Sequence, residues 1–180
     1  MTDPLAPAAV EPLLSGRFGR EVYRYAESCP STQRLLEEND PEGTIAVAEE
    51  QTEGRGRLGR TWEAPAGTSI LASILLRPAV EPARLPELSL VAGGAVAEAI
   101  SEITGMDPTI KYPNDVLIRG RKVAGILAEA SEGRVVLGIG VNVGVAPWPE
   151  AGAVEADRLE LLLEILERLE TGYADWLTAS

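Results

Sequence analysis

The sequence predicts an α+β fold, a mixed β-sheet with helices packed on one side. Three observations lead there. Apolar runs of strand length recur between turn signals. Two pairs of these runs are joined by short turns, Pro113-Asn114-Asp115 and Ser131-Glu132-Gly133, and read as hairpins. Two longer stretches, Leu88 to Ile103 and Asp157 to Leu177, carry apolar residues in helical patterns. A chain of 180 residues fits one domain, and a hydrophobic content of 45% is ample for its core.

Residues 1 to about 20 are rich in Pro and Ala and read as an irregular N-terminal arm, leaving 21–180 as the folded unit. Glu21 to Ala26 is a short strand, with Val22 alternating with Tyr23 or Tyr25. Ser31 or Thr32 caps a helix running through Leu35-Leu36-Glu37. Thr44 to Glu49 and Ser69 to Leu76 are strands, the second apolar along most of its length. Leu88 to Ile103, rich in Ala and Leu, is a buried helix. Thr109 to Lys111 pairs with Val116 to Ile118, and Lys122 to Ala130 pairs with Arg134 to Val143. The helix from Asp157 to Leu177 ends the chain. There are no internal repeats and no low-complexity linker.

Composition removes several function classes. Net charge is −12, and basic residues cluster only in one loop, so no basic face for nucleic acid is expected. No apolar run reaches membrane-spanning length, and Met1-Thr2-Asp3-Pro4 has no basic n-region. The single cysteine, Cys29, cannot form an internal disulfide, which fits a reducing cytoplasm. Histidine is absent. That excludes serine–histidine and cysteine–histidine hydrolases, an activated Cys29, and zinc sites built from imidazole. Chemistry must run on Lys, Arg, Asp, Glu, hydroxyls and bound cations.

The loop Gly54-Arg55-Gly56-Arg57-Leu58-Gly59-Arg60-Thr61-Trp62 alternates glycine with arginine in an acidic chain. Glycine lets the backbone approach a ligand, and the guanidinium fork fits phosphate or carboxylate. Such a loop can close over an anion, with Trp62 placed to stack on a ring. Alone it also fits a solvated loop or an RNA-binding segment. Downstream, Lys111-Tyr112-Pro113-Asn114-Asp115-Val116 precedes Arg121-Lys122-Val123-Ala124-Gly125-Ile126-Leu127-Ala128-Glu129. A lysine entering an apolar strand faces a cleft, because unpaired lysines are almost never fully buried. The hairpin can therefore aim Lys111, Lys122 and Asp115 at one place. Alone it also fits an ordinary hairpin with solvent-facing lysines.

Taken together, these segments resemble the catalytic domain of the biotin protein ligases. The resemblance rests on Gly-Arg-Gly-Arg-x-Gly-Arg-x-Trp, Lys-x-Pro-Asn-Asp-Val, Lys-Val-Ala-Gly-Ile-Leu and Gly138-Ile139-Gly140-Val141-Asn142-Val143, with Ser31-Thr32-Gln33 and Gln51 upstream. It runs in order from about Tyr25 to Val143. It implies the fold shared with class II aminoacyl-tRNA synthetases and lipoate ligases, and a two-step reaction. The biotin carboxylate attacks the α-phosphate of ATP, and a carrier-protein lysine then attacks the adenylate and releases AMP. Two anions are joined without need of a base, which suits a cationic site that lacks histidine.

The resemblance also implies roles. Ser31, Thr32, Gln33 and Gln51 line the biotin end, with Gly125 in the substrate site. Arg55, Gly56 and Arg57 wrap the carboxylate and phosphates. Lys122 holds the carboxylate and α-phosphate. Lys111 and Asn114 meet the phosphates, together with Arg60 in the nucleotide site. Asp115 binds Mg²⁺ or orients the incoming lysine, and Trp62 and Asn142 hold adenine. The implied partners are biotin, ATP and a biotin carboxyl carrier protein of acetyl-CoA carboxylase, for a monomer or homodimer with no nucleic acid and no membrane. The residues alone leave other roles open: a helix cap for Ser31 or Thr32, a core aromatic for Trp62, a turn residue for Asn142.

The chain departs from the family pattern in places. Tyr112 stands for the usual Trp, and Pro30 and Gln33 for Asp and Asn. The segment before Ser31 is too short for the winged helix of many relatives, and the SH3-like C-terminal domain is expected to be absent. Two other activities stay in view: a lipoate or octanoate ligase on the same fold, and a non-catalytic binder of biotin or its adenylate.

Overall fold

The structure, a computed structural model, describes residues 4–179. Residues 1–3 and 180, the first of the expected arm and the last of the folded unit, lie outside the described residues. In chain order the elements are α1 (Pro7–Val10), β1 (Tyr23–Cys29), β2 (Ile45–Gln51), β3 (Ser69–Leu76), α2 (Leu88–Thr104), β4 (Thr109–Lys111), β5 (Asp115–Ile118), β6 (Arg121–Ser131), β7 (Arg134–Asn142) and α3 (Arg158–Thr178). The strands form one seven-stranded sheet in the order β1-β2-β3-β7-β6-β5-β4. The β1–β2 pair is parallel and the remaining pairs are antiparallel.

Alternation along β3 divides the sheet into two faces. Ile70, Ala72, Ile74 and Leu76 join the main core, where they meet residues of α2 and α3. Leu75 instead packs with Ala46 and Leu36 in a second, smaller cluster on the other face. Both long helices thus cover one face, as the apolar patterns predict. α2 contributes Leu88, Ala92, Val96 and Ile100, and α3 contributes Leu161, Ile165, Leu169 and Trp176. Each large aliphatic side chain buried there contributes about 1.5–3 kcal/mol. Asp157 caps α3, its Oδ1 accepting from the Glu160 N–H at 2.9 Å. The β6–β7 turn lies where predicted but is shorter: Ser131 still belongs to β6, and Glu132 and Gly133 adopt φ of 50° and 79°, as a two-residue hairpin requires.

Two local expectations differ from the structure. The helix expected from Ser31 or Thr32 through Glu37 is a single 3₁₀ turn, Thr32–Leu35, and Leu36 is already extended with ψ 138°. Burial of Leu36 against β2 and β3 pulls the chain out of the helix, and no side chain caps the turn. The arm is ordered rather than irregular over its described residues. Pro7–Val10 and Glu11–Leu13 form helical turns, and Leu5, Val10, Leu14 and Phe18 are buried in the main core. Glu170 of α3 holds it, Oε1 accepting from the N–H groups of Arg17 at 2.6 Å and Phe18 at 3.1 Å.

Candidate active site

On the face away from the helices, a cleft of about 490 Å³, open to solvent at its mouth, runs across β3, β7 and β6. A register shift opposite Val116 and Leu117 places Lys122 in it. Leu117 pairs with Lys122 and Val116 with Ala124, so Val123 is the extra residue of a bulge. Val123 and Ala124 both join the core, which leaves Lys122 and Gly125 together on the cleft side. Lys122 Nζ lies 2.9 Å from Asp115 Oδ1. The expected meeting of these two residues is present. Lys111 pairs with Asp115 across the β4–β5 hairpin, but its side chain is exposed and does not line the cleft.

One end of the cleft is polar and held by protein–protein hydrogen bonds. The Thr32 N–H donates to Gln51 Oε1 at 2.8 Å, and Thr32 Oγ1 lies 2.7 Å from Ser73 Oγ. Ser31 and Thr32 are each 3% exposed and Ser73 is fully buried. The turn that carries them is braced from outside. Arg24 of β1 donates to both carboxylate oxygens of Asp40 and to the Leu35 carbonyl at 3.1 Å, and the Glu37 N–H donates to Asp40 Oδ2 at 2.7 Å. Hydrogen bonding from Arg24, more than the opposing effect of burial, holds the Asp40 carboxyl below the usual carboxylate range. Nearby, burial pushes the Cys29 thiol up, which keeps it protonated and inert.

The Arg/Gly loop crosses the cleft as a small hairpin. The Gly56 N–H donates to the Arg60 carbonyl at 2.8 Å, and the Trp62 N–H donates to the Gly54 carbonyl at 2.9 Å. At the tip, Leu58 has φ 58° and is 85% exposed. Arg57 faces the cleft with no ion pair among the described residues, and Arg60 stays outside it. Arg55 is already engaged: its guanidinium donates to Gln33 Oε1 at 3.2 Å and to Glu129 Oε2 at 2.8 Å. Trp62 is inserted rather than solvent-facing. A β-carbon at Gly140 would lie 2.5 Å from its ring and one at Gly125 2.9 Å, so the two glycines make its bed. Lys122 Nζ sits 5.4 Å from the ring centroid, within cation–π range. The indole Nε1 is buried without a hydrogen-bond partner.

Of the residues singled out from sequence, Ser31, Thr32, Gln33, Gln51, Arg55, Gly56, Arg57, Trp62, Asn114, Lys122 and Gly125 line the cleft together. Arg60, Lys111, Asp115 and Asn142 do not. Asn142 is buried, its Nδ2 donating to the Gly152 carbonyl at 3.0 Å, and its Oδ1 has no partner. Sequence reading missed Ser73, whose signal was a hydroxyl inside an otherwise apolar strand. It also assigned no role to Glu129, or to Gly138 and Gly140, whose two-residue spacing places them on one face of β7. The donor set does not build a metal site by itself. Among the described residues no three of His, Cys, Asp and Glu converge, and Asp115 already faces Lys122.

Residues 25–146 match the model of the biotin/lipoate A/B protein ligase family. The chain belongs to that family. Similarity to individual biotin/lipoate ligase family members extends further along it. It is 38% identical over 176 residues to the bifunctional ligase/repressor BirA of Bacillus subtilis, covering 86% of this chain and 54% of that protein. It is 40% identical over 154 residues to the biotin–[acetyl-CoA-carboxylase] ligase of Mycobacterium tuberculosis, covering 78% and 58%. The chain therefore spans about half the length of the curated relatives it matches. Among solved structures, the biotin protein ligase of Aquifex aeolicus in complex with biotin and ATP is similar with a TM-score of 0.80 at 37% identity, covering 89% of this chain and 73% of that one. The sheet with helices on one face is the class II synthetase-like fold of that family.

Proposed function

We infer that the protein is an ATP-dependent biotin ligase. It activates biotin as biotinyl-5′-AMP and transfers it to a lysine of a carrier protein of the acetyl-CoA carboxylase type. The observation that carries this reading is the pre-paired polar end of the cleft. Gln51 Oε1 accepts from Thr32, and Gln33 Oε1 accepts from Arg55, so each amide has its NH₂ donor left for a ligand. The hydroxyls of Ser31, Thr32 and Ser73 stand beside them as acceptors. A cyclic urea offers a carbonyl acceptor and two N–H donors and matches this set. The dithiolane ring of lipoate offers neither, and burying these groups against it would cost about 1–3 kcal/mol for each one left unpaired.

The chemistry follows at the other end. Lys122 has three donors and gives one to Asp115, so two remain for the biotin carboxylate and the α-phosphate. The carboxylate oxygen attacks the α-phosphorus, one P–O bond forms, and the bond to pyrophosphate breaks. Lys122 and Arg57 neutralise the charge that would otherwise keep the two anions apart. Trp62 offers the nucleotide base a face, and Asn114 stands in the cleft to meet the phosphates. Asp115 orients the acceptor amine. That amine attacks the acyl carbon, loses a proton, and AMP departs. ATP and biotin complexes of the Aquifex aeolicus protein support this choice of substrates. A magnesium ion would arrive with the nucleotide, because Asp115 supplies one carboxylate at most. The test is mass spectrometry of a carrier domain after incubation with the protein, biotin, ATP and Mg²⁺. A single added biotinyl group is expected, and an unmodified carrier refutes the ligase reading.

A further inference from the structure

We propose that Glu129 is a positioning residue that fixes the Gln33 amide through Arg55, and thereby makes this end of the cleft select a carbonyl group over a protonated imine. The inference rests on the biotin reading above and deepens it.

A guanidinium carries only N–H donors, so the atom that Gln33 turns toward Arg55 must be its carbonyl oxygen. That choice forces Nε2 to the opposite side. Nε2 does lie over the β7 floor, 3.5 Å from where a β-carbon on Gly138 would be. Gln33 therefore shows the cleft an N–H donor, and a ligand group facing it must accept. Arg55 alone does not secure this. It stands on a surface loop with its side chain 55% exposed, and a long exposed side chain without a partner samples many rotamers. Glu129, on rigid β6, supplies the anchor at 2.8 Å. The relay crosses the mouth of the cleft, from the sheet to the Arg/Gly loop to the turn after β1. Gln33 closes the relay, its Oε1 3.2 Å from the guanidinium. Both charged partners are partly exposed, so the relay is weak and screened by salt.

Biotin and 2-iminobiotin separate this from a generic stabilising role. They share a shape, but at neutral pH the imino compound is a cyclic guanidinium and presents donors where biotin presents its carbonyl. Equilibrium binding of both is measured at low salt for wild type, Glu129→Ala and Glu129→Asp. Wild type should prefer biotin strongly. In Glu129→Ala the preference should fall by up to about fivefold, the effect of losing an exposed ion pair. Glu129→Asp should restore part of it, and high salt should move wild type toward the alanine variant. An unchanged biotin-to-iminobiotin ratio in Glu129→Ala, with wild type still discriminating, overturns the relay while leaving the biotin reading intact. If wild type binds neither compound, the biotin reading falls and takes the relay with it.

Discussion

The two ends of the cleft differ in how their polar groups are held. At the Thr32 end, polar groups bond to one another around the buried Thr32 and Ser73: the Thr32 N–H to Gln51, the Thr32 hydroxyl to Ser73, and at the mouth the half-buried Gln33 to the exposed Arg55. At the Lys122 end, cations stand more open to solvent with one partner or none: Lys122, partly exposed, on Asp115, and Arg57, exposed, without an ion pair among the described residues. The first end reads hydrogen-bonding shape and is assembled before the ligand arrives. The second presents charge that a ligand completes. Preorganised amides give selectivity, because a wrong ligand leaves buried groups unpaired. Partly exposed cations tolerate varied anions and act most strongly once a bound ligand excludes water.

The largest expected effect strikes the cationic end. Lys122→Ala should lower the rate of biotin-dependent pyrophosphate release about 10²–10³-fold, as loss of a preorganised charge contact does. Biotin binding should change far less, because the polar end is untouched. Equilibrium dialysis beside the rate assay checks the split, and equal losses in both would erase the division between the two ends.

Next comes the brace behind the polar end. Asp40 is 6% exposed while the side chain of Arg24 is 28% exposed. Asp40→Asn should therefore cost about 2 kcal/mol, below the roughly 3–5 kcal/mol of breaking a fully buried pair. Because the folded-state pKa of Asp40 is depressed, its contribution is present above the unfolded carboxylate pKa and is lost as pH falls through the folded value. Urea unfolding of both proteins across acidic pH should show the gap between them closing as pH drops. A gap independent of pH would mean that charge is not what holds the turn.

Trp62 joins the two ends. Trp62→Ala should raise KM for ATP about tenfold, from the roughly 1–3 kcal/mol of a lost stack, and raise KM for biotin less. Gly140→Ala, which pushes on the same ring, should act in the same direction. An equal rise in both constants points to a structural role for the indole.

The smallest effect belongs to one hydroxyl. Thr32→Val keeps the shape of the side chain but leaves the Ser73 hydroxyl unpaired in a fully buried position, at about 1–2 kcal/mol. KM for biotin should rise severalfold with KM for ATP unchanged, which steady-state kinetics resolves.

Much of this comparison was legible in the sequence, and unevenly. β3 runs over the predicted residues, Ser69 to Leu76, because an apolar strand bounded by turn residues is a local pattern. α3 begins within one residue of its expected start, since its apolar residues at helical spacing are a local pattern. Most of the proposed ligand residues do share one cleft, since motif order reports which loops meet over a sheet. What stayed hidden depends on distant partners. Nothing local shows that Leu36 will leave a helix to pack on Leu75, or that Leu5 and Val10 will enter the core. Nor does Lys-Val-Ala-Gly reveal the bulge at Val123 that turns Lys122 into the cleft, because a bulge is a property of paired strands. Glu129 lay inside a quoted motif, yet its partner Arg55 is 74 residues away.

The division between a selecting end and a charged end is tested most directly by one assay. Pyrophosphate release is followed for the wild-type protein with ATP and either biotin or lipoate at equal concentration. Release is expected with biotin and none above background with lipoate, since both bring a carboxylate to Lys122 but only biotin brings a urea to Gln33, Gln51 and Ser73. Equal or faster release with lipoate would contradict that division.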